Sequence, residues 1–143
     1  MEFVRSVRGI DFFNDSKGTN VGATVAGLEG LGRRTILIAG GVGKGQDFSP
    51  LLPVVTQHVK AIVLIGQDAP VLMETLQVTG VVCEYAQDLQ QAVSMAFAHA
   101  LEGDAVVLSP ACASLDMFRN YPHRGQAFVQ AVNECALDQG EVA

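Results

Sequence analysis

Thr35-Ile36-Leu37-Ile38-Ala39-Gly40-Gly41-Val42-Gly43-Lys44-Gly45-Gln46-Asp47 decides the fold. Its first five residues are an unbroken apolar run, the mark of a strand buried on both faces. The glycines that follow end the strand and enclose a single lysine. Two more such runs occur, Ala61-Ile62-Val63-Leu64-Ile65 and Ala105-Val106-Val107-Leu108, with Gly80-Val81-Val82-Cys83 as a shorter fourth. Helical spacing fills the gaps. Asn20 to Leu31 puts Val21, Val25 and Leu28 on one face, and after the N-cap residue Asp88 the helical series is Leu89, Ala92, Val93, Ala96, Phe97, Ala100 and Leu101. A last helix is expected from about Gly125, carrying Phe128, Val132, Cys135 and Ala136 on one side, with Gly140 as its C′ residue. Upstream, Ile10-Asp11-Phe12-Phe13 reads as a strand that pairs back on Phe3-Val4 across Arg8-Gly9. Alternating strands and helices predict an α/β fold with a mainly parallel sheet, helices on both faces and an N-terminal antiparallel hairpin.

The 143 residues fit one domain. Such a chain buries roughly 70% of its unfolded surface without a disulfide or metal staple. Apolar residues make up 49% and charged residues 17%, which excludes disorder. No apolar run reaches the ~20 residues of a membrane span, and Met1-Glu2-Phe3-Val4-Arg5 lacks the pattern of a signal peptide. A net charge of −6 argues against nucleic acid as a partner. Cys83, Cys112 and Cys135 lie far apart without metal-ligand spacing, so reduced, mostly buried thiols and a cytoplasmic setting are expected.

Parallel sheets bind ligands beyond the carboxyl ends of their strands, which directs attention to three polar junctions. The first is Asn14-Asp15-Ser16-Lys17-Gly18-Thr19-Asn20. A helix start there offers N–H groups to an anion, Lys17 adds charge, Thr19 a hydroxyl, and Asp15 an acceptor for sugar hydroxyls. Taken alone, it reads as a polar turn with Thr19 or Asn20 as the cap before it reads as an anion site. The second is the glycine loop around Lys44, where the backbone can approach a ligand closely. It is not a P-loop, because Ile38 and Gly45 stand where glycine and a hydroxyl residue are required, and Gly-x-Gly-x-x-Gly read from Gly41 fails at Gln46. The third runs from Ser109 to Gly125, small residues as far as Ser114 and then polar and basic ones. Ser114 is either a ligand contact or a helix cap. Cys112 reads as a structural thiol, His123 as a solvent-facing loop histidine, and His58 and His99 as helical residues with structural roles. Converging at one edge, these junctions would gather Lys17, Lys44, Arg119 and Arg124 with hydroxyls and N–H groups. That suits a small dicarboxylate or phosphates. No nucleophile, general base or metal set is legible, so the residues describe a domain that holds an acceptor.

NDSKGTNVGAT (Asn14 to Thr24), LIAGGVGKGQDFSPL (Leu37 to Leu51) and LSPACASLDMFRNYPHRGQAF (Leu108 to Phe128) occur in this order. Together they resemble the C-terminal domain of the Mur ligases, and within that family its D-glutamate-adding branch. The resemblance implies a Rossmann-like domain over residues 1–143. An N-terminal UDP-sugar-binding domain and a central ATPase domain would lie outside this chain. It implies a cytoplasmic ligase of peptidoglycan synthesis that adds D-glutamate to UDP-N-acetylmuramoyl-L-alanine. ATP would activate the substrate carboxylate as an acyl phosphate, with ATP and Mg²⁺ bound mainly by the central domain. The chain alone is then expected to be inactive.

Carried over by motif, Lys44, Thr19, Ser114, Leu115 and Tyr121 hold the carboxylates of D-glutamate, with Lys44 as the electrostatic anchor. Asp15 meets the ATP ribose, and Lys17 lies near the phosphate and the reaction centre. Val42 stands where some family members carry an acid, so any charge partner of Lys44 must come from elsewhere. The other readings are a sibling Mur or folylpolyglutamate ligase domain, a non-catalytic anion- or nucleotide-binding Rossmann module, and a purely structural domain.

Overall fold

A computed structural model describes residues 1–114 and 116–141. The strands are β1 (Glu2–Val7), β2 (Ile10–Asn14), β3 (Thr35–Gly40), β4 (Val59–Ile65), β5 (Val82–Tyr85) and β6 (Ala105–Leu108). The α-helices are α1 (Val21–Leu31), α2 (Leu51–His58), α3 (Ala69–Leu76), α4 (Leu89–His99) and α5 (Tyr121–Asp138). One sheet runs β1-β2-β6-β3-β4-β5, antiparallel between β1 and β2 and parallel elsewhere. The apolar runs 36–39, 61–65 and 105–108 are fully buried because both faces are covered. On one face Ile36, Ile38 and Val106 pack with α4 and α5; on the other Leu37, Ala39 and Ile62 pack with α1, α2 and α3.

This order positions the site. β6, last in sequence among the strands, inserts between β2 and β3, with Asn14 opposite Leu108 and Ile38 opposite Leu108. The three strands therefore end side by side, and each polar junction begins there. The chain leaves β2 towards α1 on one face and β6 towards α5 on the other, which opens a crevice between them.

Three boundaries differ from the sequence reading. The edge strand is Val82–Tyr85 and not Gly80–Cys83: Gly80 (φ +76°) closes a 3₁₀ turn over Gln77–Thr79 instead of entering the sheet. Helix α4 stops at His99, leaving Leu101 62% exposed although it matches the helical spacing. The Leu101 N–H donates to Asp104 Oδ2 in a turn that competes with the helix. Helix α5 begins at Tyr121, four residues before Gly125, with Asn120 Oδ1 capping the His123 N–H and Pro122 in its first turn, where its missing N–H is harmless. Gly140 takes positive φ just beyond α5, as a C′ residue does.

Asp104 organises the opposite end of the sheet. Its buried carboxylate accepts from the Leu101 N–H at 2.9 Å and Lys60 Nζ at 3.1 Å, with Arg34 Nε at 4.0 Å. Burial is the largest influence and pushes its pKa up. The Leu101 N–H, Lys60 and Arg34 together outweigh it and hold the carboxyl below the usual range. A depressed carboxyl stabilises the fold above its unfolded pKa of about 3.9, and that stability is lost as pH falls through the folded value. Urea unfolding at pH 7 and pH 3 should therefore show a smaller acid-induced loss in Asp104→Asn than in the unmodified chain.

Candidate functional site

The first junction folds on itself. Asn14 Oδ1 accepts the Ser16 N–H, the Gly18 N–H donates to the Asp15 carbonyl, and the Asp15 N–H reaches the Leu108 carbonyl at 2.8 Å. Asp15 Oδ2 accepts from Ser109 Oγ at 2.7 Å, and Oδ1 lies 3.4 Å from the Met1 amino nitrogen. Side chains cap part of the N-terminus of helix α1. Asn20 Oδ1 takes the Ala23 N–H and Gln46 Oε1 takes the Val21 N–H. The expectation that open N–H groups of this turn attract an anion fails for these two, because side chains already satisfy them.

The glycine loop is pressed between its neighbours. A Cβ on Gly41 (φ +131°) would stand 2.3 Å from the Ala113 carbonyl oxygen, and one on Gly40 (φ +131°) 1.8 Å from that of Ile65. Val42 and Ala113 exchange both backbone hydrogen bonds at 2.9 Å, which fastens the second junction to the third. Gly41→Ala should thus cost about 2–4 kcal/mol through a backbone clash at an unfavourable φ, read as a lower denaturant midpoint.

In the third junction, Ser114 is 3% exposed, and its carbonyl accepts the Met117 and Phe118 N–H groups. The turn is thus held by the Ser114 backbone, and among the described residues its hydroxyl has no partner. Burial, the chief cause, pushes the Cys112 thiol up to about 12, as befits an inert structural cysteine. His123 is no loop histidine. It sits in the first turn of α5, its Nδ1 accepting the Arg119 N–H at 3.1 Å and its ring edge-on to Phe118.

Two clefts open at this edge. Thr19, Lys44, Ala113, Ser114, Asn120 and Tyr121 line one of about 210 Å³. Asn14, Asp15, Ser16, Lys17 and Tyr121 line part of the other, of about 650 Å³. Thr19, Lys44, Ser114 and Tyr121 are thus brought together, Asp15 and Lys17 stand next door, and Tyr121 borders both. Leu115, also expected here, lies outside the described residues. The Tyr121 N–H, at the start of α5, has no partner among the described residues. Nor does any carboxylate there pair with Lys44, and Val42 contributes only its backbone.

The four cations do not all converge. Arg119 lines neither cleft. Arg124 is 1% exposed and lies behind the site, donating to the Cys112 carbonyl and the Ser16 carbonyl at 3.0 Å each. It ties the first junction to the third, a role visible in retrospect from its place four residues before Phe128 on the buried stripe of α5. Gln46 and Asp68 were missed altogether. Asp68 Oδ2 accepts the Gly43 N–H at 2.6 Å, and Gln46 ties the glycine loop to the first residue of α1 and to the third junction. Asp68 lies outside the quoted motifs and Gln46 within one, but both show their use only in three dimensions.

The chain is thus a Rossmann-like α/β domain whose strand-end loops border a cleft lined by Lys44 and the Thr19 and Ser114 side chains. The model of the family described as Mur ligase, glutamate ligase domain, matches residues 1–112, and the chain belongs to that family. It is 63% identical over 142 residues to a UDP-N-acetylmuramoylalanine–D-glutamate ligase of Bordetella pertussis, covering 99% of this chain and 28% of that protein. It is 58% identical over 143 residues to the ligase of the same name in Methylobacillus flagellatus, covering 100% of this chain and 31% of that protein. The chain therefore spans less than a third of the length of these curated relatives. Among solved structures, UDP-N-acetylmuramate-alanine ligase MurC of Thermotoga maritima superposes with a TM-score of 0.58 at 10% identity, over 90% of this chain and 28% of that one. A domain of Haemophilus ducreyi ascribed to another UDP-N-acetylmuramate ligase gives 0.59 at 14%, over 92% and 98%. Both support the fold.

Proposed function

We propose that this chain is the amino-acid-binding domain of an ATP-dependent UDP-N-acetylmuramoylalanine–D-glutamate ligase, acting in the cytoplasm in peptidoglycan synthesis. The observation that carries the reading is the cleft on which Lys44, Thr19, Ser114 and Tyr121 meet. D-Glutamate presents two carboxylates. Lys44, without a carboxylate partner among the described residues, anchors one of them. The hydroxyls of Thr19 and Ser114 and the Tyr121 N–H orient the other. The acceptor amine is then aimed at the neighbouring cleft.

There Asp15 takes a ribose hydroxyl of ATP. Lys17 offsets negative charge on the transferred phosphoryl group and on the tetrahedral intermediate that follows amine attack on the acyl phosphate. Such a reaction needs two substrates held in line and charge stabilisation. It needs no nucleophilic side chain. Among the described residues no group of three or more His, Cys, Asp or Glu is placed to hold a metal ion. In this reading Mg²⁺ and most of ATP belong to a central domain, UDP-N-acetylmuramoyl-L-alanine to an N-terminal one, and domain closure assembles the site.

The test is phosphate release by the full-length ligase with D-glutamate, L-glutamate or a diamino acid as acceptor. Strong preference for D-glutamate is expected. Preference for either alternative would assign the chain to a sibling ligase.

A further inference from the structure

Lys44 adopts φ +55° and Gly45 φ +69°, and the Gln46 N–H returns to the Gly43 carbonyl at 3.2 Å. Both central residues of this turn lie at positive φ, the type I′ pattern. Glycine suits either position, whereas lysine enters the left-handed region at a cost. A non-glycine residue persists there only where its surroundings over-determine the backbone. On one side Asp68 Oδ2 accepts the Gly43 N–H at 2.6 Å. On the other, both ends of the Gln46 amide are committed. Oε1 accepts the Val21 N–H at 3.0 Å, and Nε2 donates to the Ala111 carbonyl at 2.7 Å. Val21 lies two residues beyond Thr19. Ala111 is itself at φ +60°, and its N–H donates to the Gly18 carbonyl at 2.7 Å. One side chain thus locks the turn that carries Lys44 to the two loops that carry Thr19 and Ser114.

The geometry points to Gln46 as a positioning residue for the acceptor amino acid: it holds Lys44 at a set distance from Thr19 and Ser114 without touching the ligand. A primary amide is the group the place demands, since one end must accept and the other donate. The inference rests on Lys44 being the acceptor anchor. It adds that the anchor's placement depends on a side chain outside the cleft.

The experiment is a double-mutant cycle in the full-length ligase with Gln46→Met, Lys44→Ala and the pair, reading KM for D-glutamate, KM for ATP and kcat. Gln46→Met should raise KM for D-glutamate about tenfold, a loss on the scale of mispositioning, and leave KM for ATP within about twofold. In the Lys44→Ala background the same change should have almost no further effect, because the group it positions is gone. A merely structural Gln46 would act equally in both backgrounds, and additive effects overturn the proposal. Unchanged kinetics in Gln46→Met beside a strong Lys44→Ala defect overturn it while sparing the acceptor site. No defect in Lys44→Ala removes both. If Gln46→Met does not fold, Gln46→Glu keeps the acceptor for the Val21 N–H, sets a carboxylate oxygen against the Ala111 carbonyl in place of the donor, and enters the same cycle.

Discussion

Lys44→Ala in the full-length ligase is expected to raise KM for D-glutamate by about 10- to 100-fold and to lower kcat. Among the described residues no carboxylate neutralises Lys44, and it lines the cleft that Thr19, Ser114 and Tyr121 share. A charge-assisted hydrogen bond contributes on the order of 1.5–3 kcal/mol, which corresponds to that range of affinity. The loss reaches kcat as well, because a loosely held acceptor presents its amine in the wrong direction. KM for ATP should change far less, since Asp15 and Lys17 line the other cleft. Steady-state kinetics with each substrate varied separates these effects, and unchanged constants for D-glutamate would refute the anchoring role.

The second large effect falls on stability. Arg124→Met should destabilise the domain by about 3–5 kcal/mol. The two carbonyls that the guanidinium serves, on Cys112 and Ser16, lose their donors inside the protein. Burial, the principal cause, brings the Arg124 pKa down to about 10. The folded chain therefore holds this proton less tightly than the unfolded chain, and stability gained by releasing it appears only above about pH 10. At pH 7 the group is charged, and the change removes a cation and not a neutral side chain. Arg124→Lys should fall between, because one ammonium lacks the planar fork that reaches both loops. Thermal or urea unfolding gives the magnitude. A cost below about 1 kcal/mol for Arg124→Met would mean that other contacts suffice to hold the two loops together.

Much of the fold was legible because its central strands β3, β4 and β6 are buried on both faces, and continuous apolar runs such as Thr35–Ala39 have few alternative readings. The weaker elements were misplaced for local reasons. β5 is a half-exposed edge strand whose residues carry little pattern, and Leu101 matches a helical spacing that a turn to Asp104 interrupts. In the site, the residues named by motif share one edge because the three strands that precede them end in register. Arg124 was legible as a cation near the loops but not in its direction, which depends on α5 starting at Tyr121. Had the helix begun at Gly125, Arg124 would have lain in a loop. Gln46 and Asp68 were beyond reach, since their partners are backbone groups on other segments, and no spacing within a sequence encodes those meetings.

A crystal structure of the full-length ligase with D-glutamate bound would show whether the Lys44 cleft holds the acceptor amino acid. One carboxylate of D-glutamate is predicted within hydrogen-bonding distance of Lys44 Nζ, with the other near the Thr19 and Ser114 hydroxyls and the Tyr121 N–H. D-Glutamate seated away from this cleft, with Lys44 facing solvent, would rule out Lys44 as the acceptor anchor.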